Sequence, residues 1–267
     1  MPKQKLNKYF LYENSVQSPD QDVAWFASAY RDLFKKEPHA LREDFCGTFA
    51  MSCEWVKAHP KNTALSLDLD PEPLRYGKEH HFERLKPFEK KRVVVLRKNV
   101  ISVTSPKVDM VIAGNFSFFI FKKRQELVEY LRCCLRSLKP KGMVALEMAG
   151  GPGFVHKSRE QKTIKLNGGV KYTYVWDQRK FNPITAEGLY AIHFRFPDGR
   201  LMQNVFTYDW RVWTVAEVRE AMVEAGFKET HTYWESNYEH KVTGGYLRTE
   251  KGTNDWSWLA YVVGVKK

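Results

Sequence analysis

Apolar positions recur at helical intervals in DQDVAWFASAYRDLF (Asp20–Phe34). Val23, Phe26, Ala27, Tyr30, Leu33 and Phe34 share one face, which predicts a helix ahead of the first strand. A short strand follows over Leu41–Phe45, then a turn at Gly47 and a helix from Thr48 to Ala58. TALSLDLD (Thr63–Asp70) reads as a second strand ending in acids. Asp70 as N-cap and Pro71 at the first helical position start the next helix. Strands are expected over Arg92–Val100 and Val108–Phe116. The helix Lys122–Leu138 should end at the breakers of KPKG, and a fifth strand covers Met143–Ala149. Short apolar strands alternating with helices predict a mostly parallel sheet covered on both faces, filling roughly the first 150 residues.

The pattern changes at GGPG (Gly150–Gly153). Strand-like aromatic runs follow: Val170–Trp176, Gly188–Phe196 and Arg200–Trp210, the last two joined by the hairpin signal Pro197-Asp198-Gly199. Residues 151–213 read as an inserted antiparallel β subdomain. Helical spacing returns from Thr214, where Thr214 and Glu217 form a capping box and Gly226 is the stop. Strands over Lys228–Ser236 and Ser257–Lys266 complete the chain. The expected organisation is a core from 1–150 and 214–267, with an N-terminal helix and lid at 1–37, carrying the 151–213 insertion.

Composition narrows the classes. With 267 residues, 43% of them hydrophobic and 28% charged, the chain can build a sizeable core. No apolar run approaches the ~18 residues of a membrane span, and MPKQKLNKYF lacks the apolar segment of a signal peptide, so a cytoplasmic protein is expected. The four cysteines, Cys46, Cys53, Cys133 and Cys134, form no CxxC pair and no zinc-finger spacing with histidine; neither disulfides nor a metal is expected. The net charge of +12 admits nucleic acid or an acidic substrate as partner, the densest basic stretches being Lys86–Lys98 and Phe121–Gln125.

In a doubly wound sheet, ligands bind at the carboxyl ends of the strands. The loop after the first strand carries Gly47, which lets backbone approach a ligand. The second strand ends in Asp68, about twenty residues on, an acceptor for ribose hydroxyls. GxGxxG and GxxxxGK[ST] are both absent, which favours a nucleoside ligand without a phosphate cradle.

These residues resemble the class I S-adenosylmethionine-dependent methyltransferases, and the resemblance covers nearly the whole chain. EDFCGTF (Glu43–Phe49) stands in place of the acid-x-G-x-G-x-G motif, with Phe45 and Phe49 at two of its glycine positions. LDLDP carries the ribose acid Asp68. RKNV places Asn99 where an acid often meets the adenine amine. VDMVIAGNFSF and LKPKGMVALEM resemble the later motifs. The resemblance implies a Rossmann-like seven-stranded α/β sheet, mostly parallel with an antiparallel final strand, and S-adenosyl-L-methionine as cofactor. It implies cofactor contacts from Tyr12 in the lid and from Glu43, Phe45, Cys46, Gly47, Thr48, Asp68, Leu69, Asn99, Val100, Asn115 and Phe116. Cys46 is then a small loop residue beside the methionine part of the cofactor. The alternative, a thiol activated at a helix terminus, stays open at this point.

An insertion after the fifth strand often covers the active site in relatives of this family. That implies a far wall of Tyr172, Tyr174, Trp176, His193, Tyr208, Trp210 and Arg211. His193, Asn115 and Tyr208 are the candidate catalytic residues: His193 as base by residue type, or else a solvent-facing strand residue, and Tyr208 as an acceptor contact or a core ring. The leading reading is methyl transfer to nitrogen or oxygen of a small molecule by a monomer or homodimer. An RNA methyltransferase using the basic surface, and a cofactor-binding protein without activity, are the alternatives.

Overall fold

A computed structural model describes residues 6–235 and 245–267. The first five residues of the expected lid and Ser236, the last residue of an expected strand, lie outside the described residues. The elements are α1 (Lys8–Val16), α2 (Pro19–Phe34), β1 (Ala40–Asp44), α3 (Ala50–Ala58), β2 (Thr63–Asp68), α4 (Pro71–His80), the single-turn α5 (Pro87–Lys90), β3 (Val93–Arg97) and β4 (Val108–Ala113). After them come α6 (Arg124–Ser137), β5 (Leu138–Gly150), the single-turn α7 (Pro152–Val155), β6 (Ser158–Lys165), β7 (Lys171–Asn182), β8 (Glu187–Arg195) and β9 (Leu201–Arg211). The chain closes with α8 (Val215–Ala225), β10 (Glu229–Glu235), β11 (Tyr246–Arg248) and β12 (Trp258–Val265).

One sheet runs β11-β10-β12-β5-β4-β1-β2-β3. The pairs among β1 to β5 are parallel, and β12 lies antiparallel between β5 and β10. Strand order reverses at β1, which sits between β2 and β4, so the ligand crevice of such a sheet opens above its carboxyl end. Both faces are covered. Along β4, Met110 and Ile112 point into a cluster with Val23, Phe26 and Trp55 of α2 and α3, while Val111 and Ala113 point into one with Leu127, Leu131 and Val218 of α6 and α8.

Four features differ from expectation. The sheet has eight strands, because the three-residue β11 adds an edge beside β10. β5 begins at Leu138, so KPKG lies within a strand whose pairing to β4 slips between Val108 and Met110. The second sheet, β6-β7-β8-β9, has four strands. β6 escaped the pattern because SREQKTIK is an edge strand with a mostly exposed polar face, so no alternation marks it. The segment before α2 also forms a helix, α1, where the sequence indicated only a lid. Leu11 packs with Ile164, Ile192 and Phe194 of the second sheet, and the Tyr172 hydroxyl donates to the Leu11 carbonyl at 2.9 Å.

Candidate active site

The loop after β1 keeps a glycine-like shape without the glycines. Phe45, Gly47 and Phe49 all have left-handed φ angles, 54°, 52° and 44°. For the two phenylalanines this costs about 1 kcal/mol each. The loop is held from outside: the Cys46 amide donates to the Leu67 carbonyl at 3.0 Å, and the Gly47 amide donates to Asp68 Oδ2 at 2.8 Å. Packing pins its far side, since a Cβ on Gly77 of α4 would lie 2.1 Å from the Thr48 carbonyl oxygen. Asn115 and Phe116, after β4, are left-handed too, at 53° and 57°. Four non-glycine residues are thus held in this costly state around one crevice.

Above the crevice lies a cavity of about 440 Å³, within the size range of cofactor pockets. Its floor is Phe45, Cys46, Gly47, Thr48, Asp68 and Asn115. Its roof is Tyr9 and Tyr12 of α1 with Phe206, Tyr208 and Trp210 of β9. Tyr12 meets Phe206 at 4.9 Å between ring centres, and Tyr9 meets Tyr76 of α4 at 5.1 Å. Glu13 ties α1 to the floor: one of its oxygens accepts from the Thr48 hydroxyl at 2.5 Å and pairs with His81 Nε2 at 2.7 Å. Asp68 spends one oxygen on Gly47 and the other on the Asp70 amide at 2.9 Å, and as a cavity-lining carboxylate it keeps capacity to accept further hydrogen bonds.

A narrow recess of about 30 Å³ opens beside Cys46 and Asn115, lined by Gln17, Asp22 and Glu43 among others. Gln17 Oε1 is buried there without a donor among the described residues. Burial pushes the Glu43 carboxyl up to about 7, against the hydrogen bonds that it accepts from Ser52. Burial and Asp20 push Asp22 up to about 6. A space of that size walled by acceptors, one of them orphaned, lacks one compact donor. The α-ammonium of a methionyl group meets that need, and the open cavity with Asp68 suits a nucleoside. The residues present therefore fit S-adenosylmethionine.

Of the residues singled out from sequence, Tyr12, Phe45, Cys46, Gly47, Thr48, Asp68, Asn115 and Tyr208 are brought together on this cavity. Glu43 lines the recess behind it. Trp210 of the expected far wall lies in the roof as well, and the following residues lie off this cavity. Leu69 is 57% exposed and does not line the cavity; Val100 is a core residue. Asn99 spends its side-chain oxygen on the Ile101 amide at 2.8 Å. Phe116 faces the opposite side of its turn, toward Phe154. His193 is 1% exposed and off the cavity: Nε2 lies 3.1 Å from Asp177 Oδ2, and Nδ1 accepts from the Asn204 amide at 3.0 Å. With both ring nitrogens committed it is neither a base for this cavity nor a solvent-facing residue. Arg211 donates to the Lys122 carbonyl and to Glu217 and stacks on Trp213, which leaves it a structural residue.

Thiol chemistry is disfavoured. Burial, followed by the nearby Glu43 and Asp68 carboxylates, pushes Cys46 well above the ordinary thiol range. Burial also raises the Tyr12 and Tyr208 hydroxyls, so both stay protonated and act as donors rather than bases.

Sequence reasoning missed Gln17, Asp22 and Glu147. Glu147, near the end of β5, accepts the Asn115 amide at 2.5 Å, and burial pushes it up to about 7. The signal was thin: an acid inside an apolar strand, MVALEMA. Because the folded protein holds this proton more tightly than the unfolded chain, stability falls as pH rises from about 4.5 to about 7 and stays lost above that. Glu147→Gln keeps an acceptor for Asn115. It is expected to melt like the wild type near pH 4 and to be more stable by about 2 kcal/mol near pH 8. Thermal denaturation at the two pH values checks this.

No protein-family profile and no curated protein matches the sequence. Solved structures do match. DesVI of Streptomyces venezuelae aligns over 99% of this chain and 100% of its own, with TM-score 0.73 and 15% identity. CalS10, an amino pentose methyltransferase from Micromonospora echinaspora solved with S-adenosylmethionine bound, aligns over 100% of both chains at TM-score 0.71 and 14% identity. The sugar N-methyltransferase KedS8 from a Streptoalloteichus species aligns over 100% and 95% at TM-score 0.68 and 14% identity. The parallel sheet reversing at β1, the antiparallel β12 and the separate four-stranded sheet together give this chain the class I methyltransferase fold of those structures.

Proposed function

We propose that this protein is an S-adenosylmethionine-dependent methyltransferase acting on nitrogen or oxygen of a small molecule. The observation that carries the reading is the pairing of Asp68 with the strained Gly47 loop under one cavity, beside the acceptor-lined recess of Gln17, Asp22 and Glu43. When bound, the cofactor supplies a methyl group activated on a sulfonium, for in-line displacement. The chain supplies the rest. Asp68 receives the ribose hydroxyls. Gln17 and the two carboxylates receive the ammonium. Tyr9, Tyr12, Tyr208 and Trp210 close the cavity against water and frame the acceptor's approach. His193, with both ring nitrogens committed, supplies no base to the reacting centre.

The proposed division has the core at 1–150 and 214–267, with 151–213 as the covering subdomain. A small acceptor is favoured over nucleic acid because much of the charge in one basic stretch is already spent: Lys122 pairs with Glu187 and Asp209, and Arg124 with Glu224. Calorimetric titration with S-adenosylmethionine is expected to show one site at about micromolar affinity. Absence of heat and of any rise in melting temperature would overturn the reading.

A further inference from the structure

Helix α1 bridges two parts of the molecule and is too short to stand without them. It has nine residues, fewer than the ~12–15 that an isolated helix needs in water, so its order comes from its contacts. One side belongs to the second sheet. Leu11 is fully buried among Ile164, Ile192 and Phe194, and the Ser15 hydroxyl lies 3.2 Å from that of Tyr172. The other side faces the core. Lys8 reaches Glu72 there at 2.8 Å, an exposed pair that solvent weakens. Glu13 makes the deeper contact, with 14% of its side chain exposed.

Both partners of Glu13 on the core are fixed by their surroundings. Thr48 lies between the left-handed Gly47 and Phe49, with its carbonyl against Gly77 of α4. His81 caps the end of α4, its amide donating to the Gly77 carbonyl at 2.9 Å. The Thr48 hydroxyl and His81 Nε2 both meet Glu13 Oε1, at 2.5 and 2.7 Å. A carboxylate only accepts, so His81 carries a proton on Nε2. Hydrogen bonds to an ionised acceptor are roughly twice as strong as neutral ones, and here moving one oxygen releases both. Glu13 is not itself a wall of the cavity. Its neighbours are: Tyr9 and Tyr12 belong to the roof, and Gln17, just past the helix, lines both the cavity and the recess.

Resting on the methyltransferase reading, we infer that Glu13 is a positioning residue that gates exchange of the cofactor. A ligand between floor and roof passes Tyr9 and Tyr12 when α1 lifts from the core, and α1 lifts when Glu13 leaves Thr48 and His81. The same movement withdraws Gln17 from the recess. The hydrogen bonds of Glu13 are made to protein and not to the ligand, so weakening them lowers the barrier to entry and to exit alike. That separates a gate from a binding residue such as Asp68, whose loss is felt mostly in the exit rate. The spent cofactor leaves by the same opening, so the clasp also bears on turnover.

The test is stopped-flow mixing of the full chain with S-adenosylmethionine, read by tryptophan fluorescence, since Trp210 lines the cavity. The slope of the observed rate against concentration gives entry, and the intercept gives exit. Glu13→Ala is expected to raise both rates by about tenfold, while calorimetry finds the affinity within about threefold of the wild type. Glu13→Gln keeps an acceptor oxygen, so its rates should fall between the two. His81→Phe removes one donor and should raise both rates by a smaller factor. Combined with Glu13→Ala it should add nothing, because the two substitutions break one contact. Should Glu13→Ala fail to fold, Glu13→Gln and His81→Phe carry the same test. Unchanged rates, or a faster exit alone with a matching loss of affinity, overturns the gate. Independent, additive effects of Glu13→Ala and His81→Phe do so too. A wild type that binds the cofactor with rates unmoved by these substitutions sinks only the gate. A wild type that binds no cofactor sinks the methyltransferase reading, and the gate with it.

Discussion

Asp68→Ala is expected to weaken S-adenosylmethionine binding by about a hundredfold or more while the protein stays folded. Asp68 ends β2, half-buried, with one oxygen on the Gly47 amide and the other on the Asp70 amide. Charge-assisted hydrogen bonds from two ribose hydroxyls are worth about 3 kcal/mol together, which at 1.4 kcal/mol per decade is roughly two decades in affinity. Removing the carboxylate also frees Gly47, whose left-handed loop then has one anchor fewer. Asp68→Asn keeps an acceptor oxygen and should lose only about tenfold. Calorimetry on the three proteins, with circular dichroism as the fold control, checks the ordering. Equal affinity in Asp68→Ala would remove the ribose role.

Arg42→Met is expected to be the most destabilising single change near the site, by about 3–5 kcal/mol. Arg42 and Asp44 are both fully buried at the end of β1 and pair through two contacts, Nε to Oδ1 at 2.7 Å and Nη2 to Oδ2 at 3.1 Å. The remaining guanidinium protons reach the carbonyls of Val100 and Ser102 and the hydroxyls of Thr104 and Ser137. Burial works against the charge on Arg42, yet Asp44 beside it holds the proton more firmly than usual. Losing Arg42 leaves Asp44 buried with only neutral donors such as the Tyr130 hydroxyl at 3.0 Å. Removing both charges, as in Arg42→Met with Asp44→Leu, should recover part of the loss, because no ion remains unpaired. Urea denaturation midpoints check this. The same residue ties β1 to the loop after β3 and to α6, so the single variant should also loosen the Cys46–Gly47 turn.

Much of the architecture was readable because its signals are local. Helix α8 announced itself through Thr214, Glu217 and Gly226, and the structure has that capping box with Gly226 left-handed at φ 107°. Asp70 caps α4 by accepting the Glu72 amide, as its place before Pro71 indicated. Short apolar strands separated by amphipathic helices specify a parallel sheet, since only such a sheet buries both strand faces. Edges were harder. β6 is mostly exposed and polar and β11 is three residues long, so neither carries a side-chain period to read.

The crevice floor followed from sequence as well: Gly47 and Asp68 are near in sequence, and consecutive β-α units bring their loops together by rule. The tertiary structure decided everything that depends on residues distant along the chain. It committed His193 to Asp177 and the Asn204 amide, and it made Phe45 and Phe49 serve in glycine's backbone state. It brought Gln17 of the α1–α2 link, Asp22 of α2 and Glu147 of β5 to one turn at Asn115. No spacing rule relates positions 17, 22 and 147, because their meeting is set by how α2 and β5 pack on the sheet. Sequence by itself determined most strands and helices of the main sheet and that Gly47 and Asp68 would meet at one crevice; packing alone decided which buried charges face one another.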